Sequence, residues 1–130
     1  MDRKTKGHLA ETEAIAWFIR NGYEVYLPAH DCAKYDLIVH KEGILNRVSA
    51  KFCSSSTGDS WRVQLRNMSR RKDNKMKVDL FDSSSFDLVV VYIEPEDRIS
   101  VIKSTEIKTK TELRIKKLRK INSLGESPVC

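Results

Sequence analysis

Two acidic and basic residues in the stretch from Lys34 to Lys51 have the types and spacing for chemistry on a phosphate. Asp36 heads an apolar run, Tyr35-Asp-Leu-Ile-Val-His40, which reads as a strand. Lys41, Glu42 and Gly43 read as a turn, and Ile44 to Cys53 as the return strand of a β-hairpin. Side chains alternate across a strand, so Ser49 shares a face with Lys51, and Asp36 shares one with Ile38 and His40. An Asp on one strand with a Lys near the end of the next is an arrangement for holding a cation beside a phosphate. Strands disfavour Asp, so a carboxylate between Tyr35 and the apolar Leu-Ile-Val is costly unless it is used. The plain alternative is a surface Asp at a strand edge.

The elements around the hairpin have to bring further groups to it. Thr5 to Asn21 reads as a helix, with Ala10, Ala14, Ile15, Phe18 and Ile19 at helical spacing and Asn21-Gly22 as its end. Glu11 lies three, four and seven positions before Ala14, Ile15 and Phe18, so it projects from the apolar face. A carboxylate facing a core needs a partner, because unpaired burial is expensive. A boundary Glu that reaches water or a Lys would satisfy the same spacing. Tyr23 to Leu27 is a short strand stopped by Pro28, and helix-then-strand begins a mixed α/β unit.

Beyond the hairpin, Ser54 to Ser60 reads as a loop and Trp61 to Leu65 as a strand. Trp61, Val63 and Leu65 fall on one face of that strand, with Arg62, Gln64 and Arg66 on the other. Arg66 to Lys77 is the densest basic stretch in the chain, carrying Arg70, Arg71, Lys72 and Lys75 as well, and it reads as a loop or extended arm for phosphate contact. Phe86 to Ile93 is a near-continuous β-branched run, the mark of a central strand covered on both faces. Asp87 sits at its start, either a rival metal ligand or a loop cap. Glu94 to Arg98 turns the chain into Ile99 to Ile102. Residues 105–121 read as a basic helix with Thr109 or Thr111 as its N-cap.

A chain of 130 residues fits one domain, 1–130, and 40% hydrophobic content allows a real if modest core. The net charge of +6 favours a polyanionic partner, most often nucleic acid. Cys32, Cys53 and Cys130 form no C-x-x-C pair. That argues against a disulfide framework or a zinc site and fits a reducing, cytoplasmic setting. The N-terminus lacks a signal-peptide apolar segment, and the run Leu88 to Ile93 is too short to span a membrane.

The order is therefore helix, four strands, basic insertion (66–78), two strands, basic helix. An acid on the first helix, an Asp at the head of a strand and a Lys two residues past an acid position resemble the PD-(D/E)xK nuclease superfamily. Within it, Gly22-Tyr-Glu-Val-Tyr-Leu-Pro28, Tyr35-Asp-Leu-Ile-Val39 and Phe86-Asp-Leu-Val-Val-Val-Tyr-Ile93 resemble the group I intron-encoded homing endonucleases of cyanobacteria, over residues 7–103. The resemblance implies an α/β restriction-endonuclease-like core, a mixed sheet flanked by helices. It carries Glu11, Asp36 and Lys51 over as active-site residues. Tyr35 replaces the Pro of the motif, and Ser49 stands where the family has Glu, Asp or sometimes Gln. The implied cofactor is Mg²⁺, with Mn²⁺ able to substitute, held by Asp36, the Ala50 carbonyl and Glu11. The implied substrate is double-stranded DNA, cut on both strands by a homo-oligomer, a dimer or tetramer. Two other readings stand beside it: a junction-resolving or restriction-type nuclease of the same superfamily, and a basic nucleic-acid-binding module that does not cut.

Overall fold

A computed structural model describes residues 1–30, 33–65, 67–70 and 76–118, with backbone alone for 67–70 and 76–79. Helix α1 spans Arg3–Arg20. It starts two residues before the expected Thr5, because the Asp2 carboxylate accepts the Thr5 backbone N–H at 2.7 Å and caps the first turn. Gly22, at φ +83°, takes the left-handed conformation that releases the chain into β1, Glu24–Tyr26. The hairpin is present: β2, Leu37–Lys41, pairs antiparallel with β3, Ile44–Cys53. Its turn is Glu42-Gly43, both at positive φ (53° and 79°), the twist that suits a two-residue hairpin loop.

The next elements are β4, Ser55–Thr57, β5, Ser60–Gln64, β6, Asn67–Arg70, and β7, Met76–Asp79. They are followed by β8, Leu88–Ile93, β9, Arg98–Lys103, and β10, Glu112–Lys116. The main sheet runs β1-β2-β3-β8-β9, with β3 and β8 parallel and the other neighbours antiparallel. A second sheet runs β10-β5-β4, and β6 pairs with β7 as a two-stranded ribbon. The mixed α/β expectation holds.

Two apolar layers fix these elements. On one face of the main sheet, Ala14 and Phe18 of α1 pack against Leu37, Val39, Val48 and Val90. On the other, Val89, Val91 and Ile93 with Cys53 meet Trp61, Val63 and Leu65. Strand β8 is thus buried on both sides, which is why its sequence lacks alternation. Strand β5 alternates as expected, Trp61 and Val63 inward, Arg62 and Gln64 outward.

Three expectations are corrected. The basic helix over 105–121 is absent from its described part; residues 112–116 form β10 instead, with Leu113 opposite Val63 and Ile115 opposite Trp61. The alternation Leu113-Arg-Ile-Lys116 fits a half-buried strand, and the open edge of β5 supplies the backbone partners that helix formation would have supplied locally. Neither Thr109 nor Thr111 therefore caps a helix. Ser55–Thr57, read as loop, is strand β4, folded back on β5 through Gly58 at φ +58°. The basic stretch is not wholly irregular: Asn67–Arg70 and Met76–Asp79 pair in register, Arg70 opposite Met76. The remaining expected arm residues, Arg66, Arg71, Lys72 and Lys75, lie outside the described residues, as does the end of the expected helix.

Candidate active site

Strand β3 outruns its neighbour. Pairing with β2 stops at Leu37 opposite Val48, while β3 continues to Cys53. The backbone groups of β3 beyond Val48 on that side need other partners. Asp36 supplies them: its own N–H donates to the Val48 carbonyl at 2.8 Å, and its Oδ2 accepts the Ala50 N–H at 2.7 Å. The Asp at the head of the strand is therefore structural as well as chemical. One carboxylate oxygen is spent on the sheet edge.

Glu11 comes to the same place from α1. It follows buried Ala10 by one residue and precedes buried Ala14 by three, so it sits at the margin of the helix–sheet layer. Burial pushes its carboxyl above the ordinary value, the Asp36 charge and a hydrogen bond with Asp36 push it further, and His8 opposes them. Two neighbouring carboxylates repel each other, and a cation between them would relieve that repulsion.

Lys51 and Ser49 lie on one face of β3, beside Val91 and Val89 of β8. Lys51 is half-buried. Burial pulls its ammonium below the ordinary lysine range, and the nearby Asp36 carboxylate works against that fall. Ser49 is almost fully buried, at 4% exposure. Its hydroxyl adds no charge, and among the described residues no group of three His, Cys, Asp or Glu side chains forms a metal cluster. The acidic set is Glu11 and Asp36. Carboxylate oxygens are the donors a hard divalent cation takes, and Glu11 lies near Asp36, which is itself bonded to the Ala50 N–H.

A cleft of about 910 Å³ opens beside these groups, lined by Ala50 and Lys51 and also by Arg3, Lys6, Arg62 and Gln64. Its polar lining is basic apart from serines and Gln64. Arg62 and Gln64 are where the alternation of β5 put them. Arg3 and Lys6 were missed; they sit one turn apart on α1, Lys6 over the Phe52 ring at 5.7 Å from its centroid. Their signal was the Asp2 cap, which moves the first turn of the helix back to include Arg3. Arg70 and Lys77 sit on the β6–β7 ribbon.

Asp87 resolves as a clip rather than a ligand. Its carboxylate accepts the Arg47 N–H at 2.7 Å and the Arg47 guanidinium at 3.2 and 3.3 Å, and its own N–H donates to the Arg47 carbonyl at 2.9 Å. These bonds hold its carboxyl below the ordinary range.

A helix acid beside a strand-head Asp, with a strand Lys near that Asp on a mixed sheet, is the arrangement of one class of nuclease, and the comparisons with known proteins agree on that class. The family model for PD-(D/E)XK endonuclease matches residues 1–124, and the chain belongs to that family. The solved structure of the bacterial homing endonuclease I-Ssp6803I superposes with a TM-score of 0.78 at 26% identity, covering 95% of this chain and 84% of that one. Protein 5.3 of Escherichia phage T7 is 26% identical over 122 residues, 92% of this chain and 95% of that protein.

Proposed function

We propose that residues 1–130 act as one metal-dependent, site-specific DNA endonuclease domain of the intron-encoded homing type. The observation that carries this reading is the placing of Asp36 beside both Glu11 and Lys51, with Lys51 lining a basic cleft. The likeness to a homing endonuclease supports the homing role, and the positive charge supports double-stranded DNA as substrate. Activity belongs in the cytoplasm, in a homo-oligomer (dimer or tetramer), since a double-strand break needs two active sites and two half-sites suit a symmetric pair.

Asp36, Glu11 and the Ala50 carbonyl are the groups that would hold Mg²⁺ or Mn²⁺. When bound, the cation supplies charge neutralisation at the phosphate and acidifies a water. The chain supplies the rest. Asp36 is fixed by the Ala50 N–H, so its carboxylate is preorganised. Lys51 places a point charge where negative charge grows on the phosphate, in a half-buried site where that charge acts more strongly than in water. Arg3 and Lys6 draw the backbone into the cleft, and Arg66, Arg70, Arg71, Lys72, Lys75 and Lys77 extend the basic surface for phosphate contact. The buried, neutral Ser49 favours a second reading, a DNA-binding module that no longer cuts.

The test is cleavage of the intronless host locus with added Mg²⁺, beside the same reaction in EDTA. Metal-dependent breaks at one position support the proposal. Binding without any break, over a range of Mg²⁺ and Mn²⁺, selects the non-cutting module. Breaks confined to branched DNA select a junction-resolving nuclease. Light scattering of the free and DNA-bound protein tests the oligomer, and a monomer in both states removes it.

A further inference from the structure

The outer face of the second sheet is organised in a way that phosphate attraction alone does not require. Arg62 and Gln64 point outward from the centre strand β5, and the register places Arg114 and Glu112 of β10 directly opposite them. Ser55 of β4 stands on the other side of Arg62. Glu112 is the pivot. Its Oε1 lies 3.4 Å from the Arg62 Nε, and its Oε2 accepts the Arg114 Nε–H at 3.2 Å. One carboxylate thus engages two guanidiniums, each at its Nε, and guanidiniums gripped there keep their terminal nitrogens as donors for another partner.

These ion pairs contribute little to stability. The Arg62 and Arg114 side chains are 51% and 59% exposed, and pairs of that kind are worth at most a fraction of a typical hydrogen bond. What they supply is orientation. Arginine held with its terminal nitrogens outward matches guanine O6 and N7, and a glutamine amide matches adenine N6 and N7. The platform is also anchored. Below β10, the Lys117 N–H donates to the Asp59 carbonyl at 2.8 Å, and the Leu118 N–H donates to the Glu96 carboxylate at 3.0 Å. Arg62, Gln64 and Ser55 line the same cleft as Lys51, so the face continues into the site where the backbone would be cut.

We infer that this sheet face lies in the major groove and reads bases, with Arg62 and Arg114 recognising guanines, Gln64 recognising adenine, and Glu112 as the positioning residue that sets both arginines. The inference rests on the endonuclease reading and extends it to the residues that choose the site. It gives β10 a role in target selection.

The experiment selects a randomised duplex library with the parent protein in Ca²⁺, a non-hydrolysing stand-in for Mg²⁺, and then measures single-base variants of the selected duplex. Arg62→Ala and Arg114→Ala should each flatten preference at one guanine position by about 5- to 150-fold, the discrimination a bidentate pair provides, while affinity for unrelated duplexes changes little. Gln64→Ala should do the same at an adenine. Glu112→Gln keeps the shape and removes the charge. It should relax both guanine positions together and raise affinity for unrelated DNA, a combination that simple loss of folding does not produce. Thermal melting of each variant checks that the sheet is intact. Uniform loss of affinity over all duplexes, with the slope of log affinity on log salt falling by about one per arginine, would mean phosphate contact and overturn the inference. Unchanged selectivity in all four variants would place the face away from DNA and overturn it alone. If the parent enriches no duplex, the endonuclease reading and the inference fall together.

Discussion

Replacing Asp36 by Asn and by Ala separates the two tasks of one carboxylate. Asp36 Oδ2 accepts the Ala50 N–H at 2.7 Å at a half-buried sheet edge. Asn can put its amide oxygen on that N–H, so Asp36→Asn should leave stability within about 0.5 kcal/mol of the parent. Asp36→Ala strips the acceptor and leaves the donor unmet, which costs about 1–3 kcal/mol. The two variants should therefore differ in urea unfolding yet fail alike in cleavage. Each loses the charge proposed to hold the cation, which also opposes the desolvation of Lys51. Loss of about 3 kcal/mol of transition-state stabilisation, near 150-fold in single-turnover rate, is the smallest effect expected. Removing that charge also takes away one cause of the raised Glu11 carboxyl and reduces repulsion of an incoming phosphate. Metal-free DNA affinity, read by fluorescence anisotropy, should thus be equal to or tighter than the parent's. If Asp36→Asn cuts at the parent rate, or Asp36→Ala is as stable as Asp36→Asn, the reasoning about this carboxylate is wrong.

Four further outcomes are expected. Lys51→Ala should slow single-turnover cleavage by about 3 kcal/mol or more while DNA affinity and metal binding survive, and a parent-like rate would move the site elsewhere. Ser49→Glu puts a carboxylate beside Lys51 in a buried position; it should lose about 1–3 kcal/mol of stability to overpacking while tightening Mn²⁺ binding in calorimetry, and unchanged Mn²⁺ affinity would count against a vacated acid position. Asp87 has a carboxyl held low by Arg47, so its contribution is present above about pH 4, the unfolded value, and is lost as pH falls through the lower folded value. Acid unfolding of Asp87→Asn should show a weaker pH dependence in that window, and parallel curves would contradict the clip. Alanine at Arg70, Arg71 and Lys72 together should lower the salt slope of DNA binding by about 0.9 for each phosphate that is no longer neutralised, and an intact slope would remove the arm from the interface.

The sequence showed best those elements that local physics decides. Helix α1 was visible in the spacing of Ala10, Ala14 and Phe18, the hairpin in the turn at Gly43, and β8 in its unbroken apolar run. Glu11 was legible as a carboxylate on the wrong face of a helix, though not the interaction with Asp36 that accounts for it. What stayed hidden depends on partners far along the chain. Leu113, Lys117 and Ile121, or Ile115 and Leu118, satisfy a helical period as well as Leu113 and Ile115 satisfy a strand, and only the open edge of β5, some fifty residues earlier, decides between them. Strand β4 carries no apolar residue to announce it, since Ser55, Ser56 and Thr57 are held by backbone pairing with β5. The burial of Ser49 could not be read either, because it comes from Val89 across a parallel pairing that no short-range pattern encodes.

That parallel pairing has an evolutionary consequence. The chain leaves the main sheet at Cys53 and returns at Leu88, at opposite ends of neighbouring strands. Everything between them, β4 to β7, is an excursion that only has to cover the length of a six-residue strand, roughly 20 Å, on its way back. Such a cassette can be exchanged or lengthened without disturbing the acid pair, since Glu11, Asp36 and Lys51 all precede it. It cannot be exchanged alone, however. Strand β10 is hydrogen-bonded to β5 along five residue pairs, so a transplanted excursion would arrive without its companion. An exchange on this scaffold would therefore have to carry residues 54–87 and 104–118 together, and a chimera that swaps only the first segment should lose its second sheet.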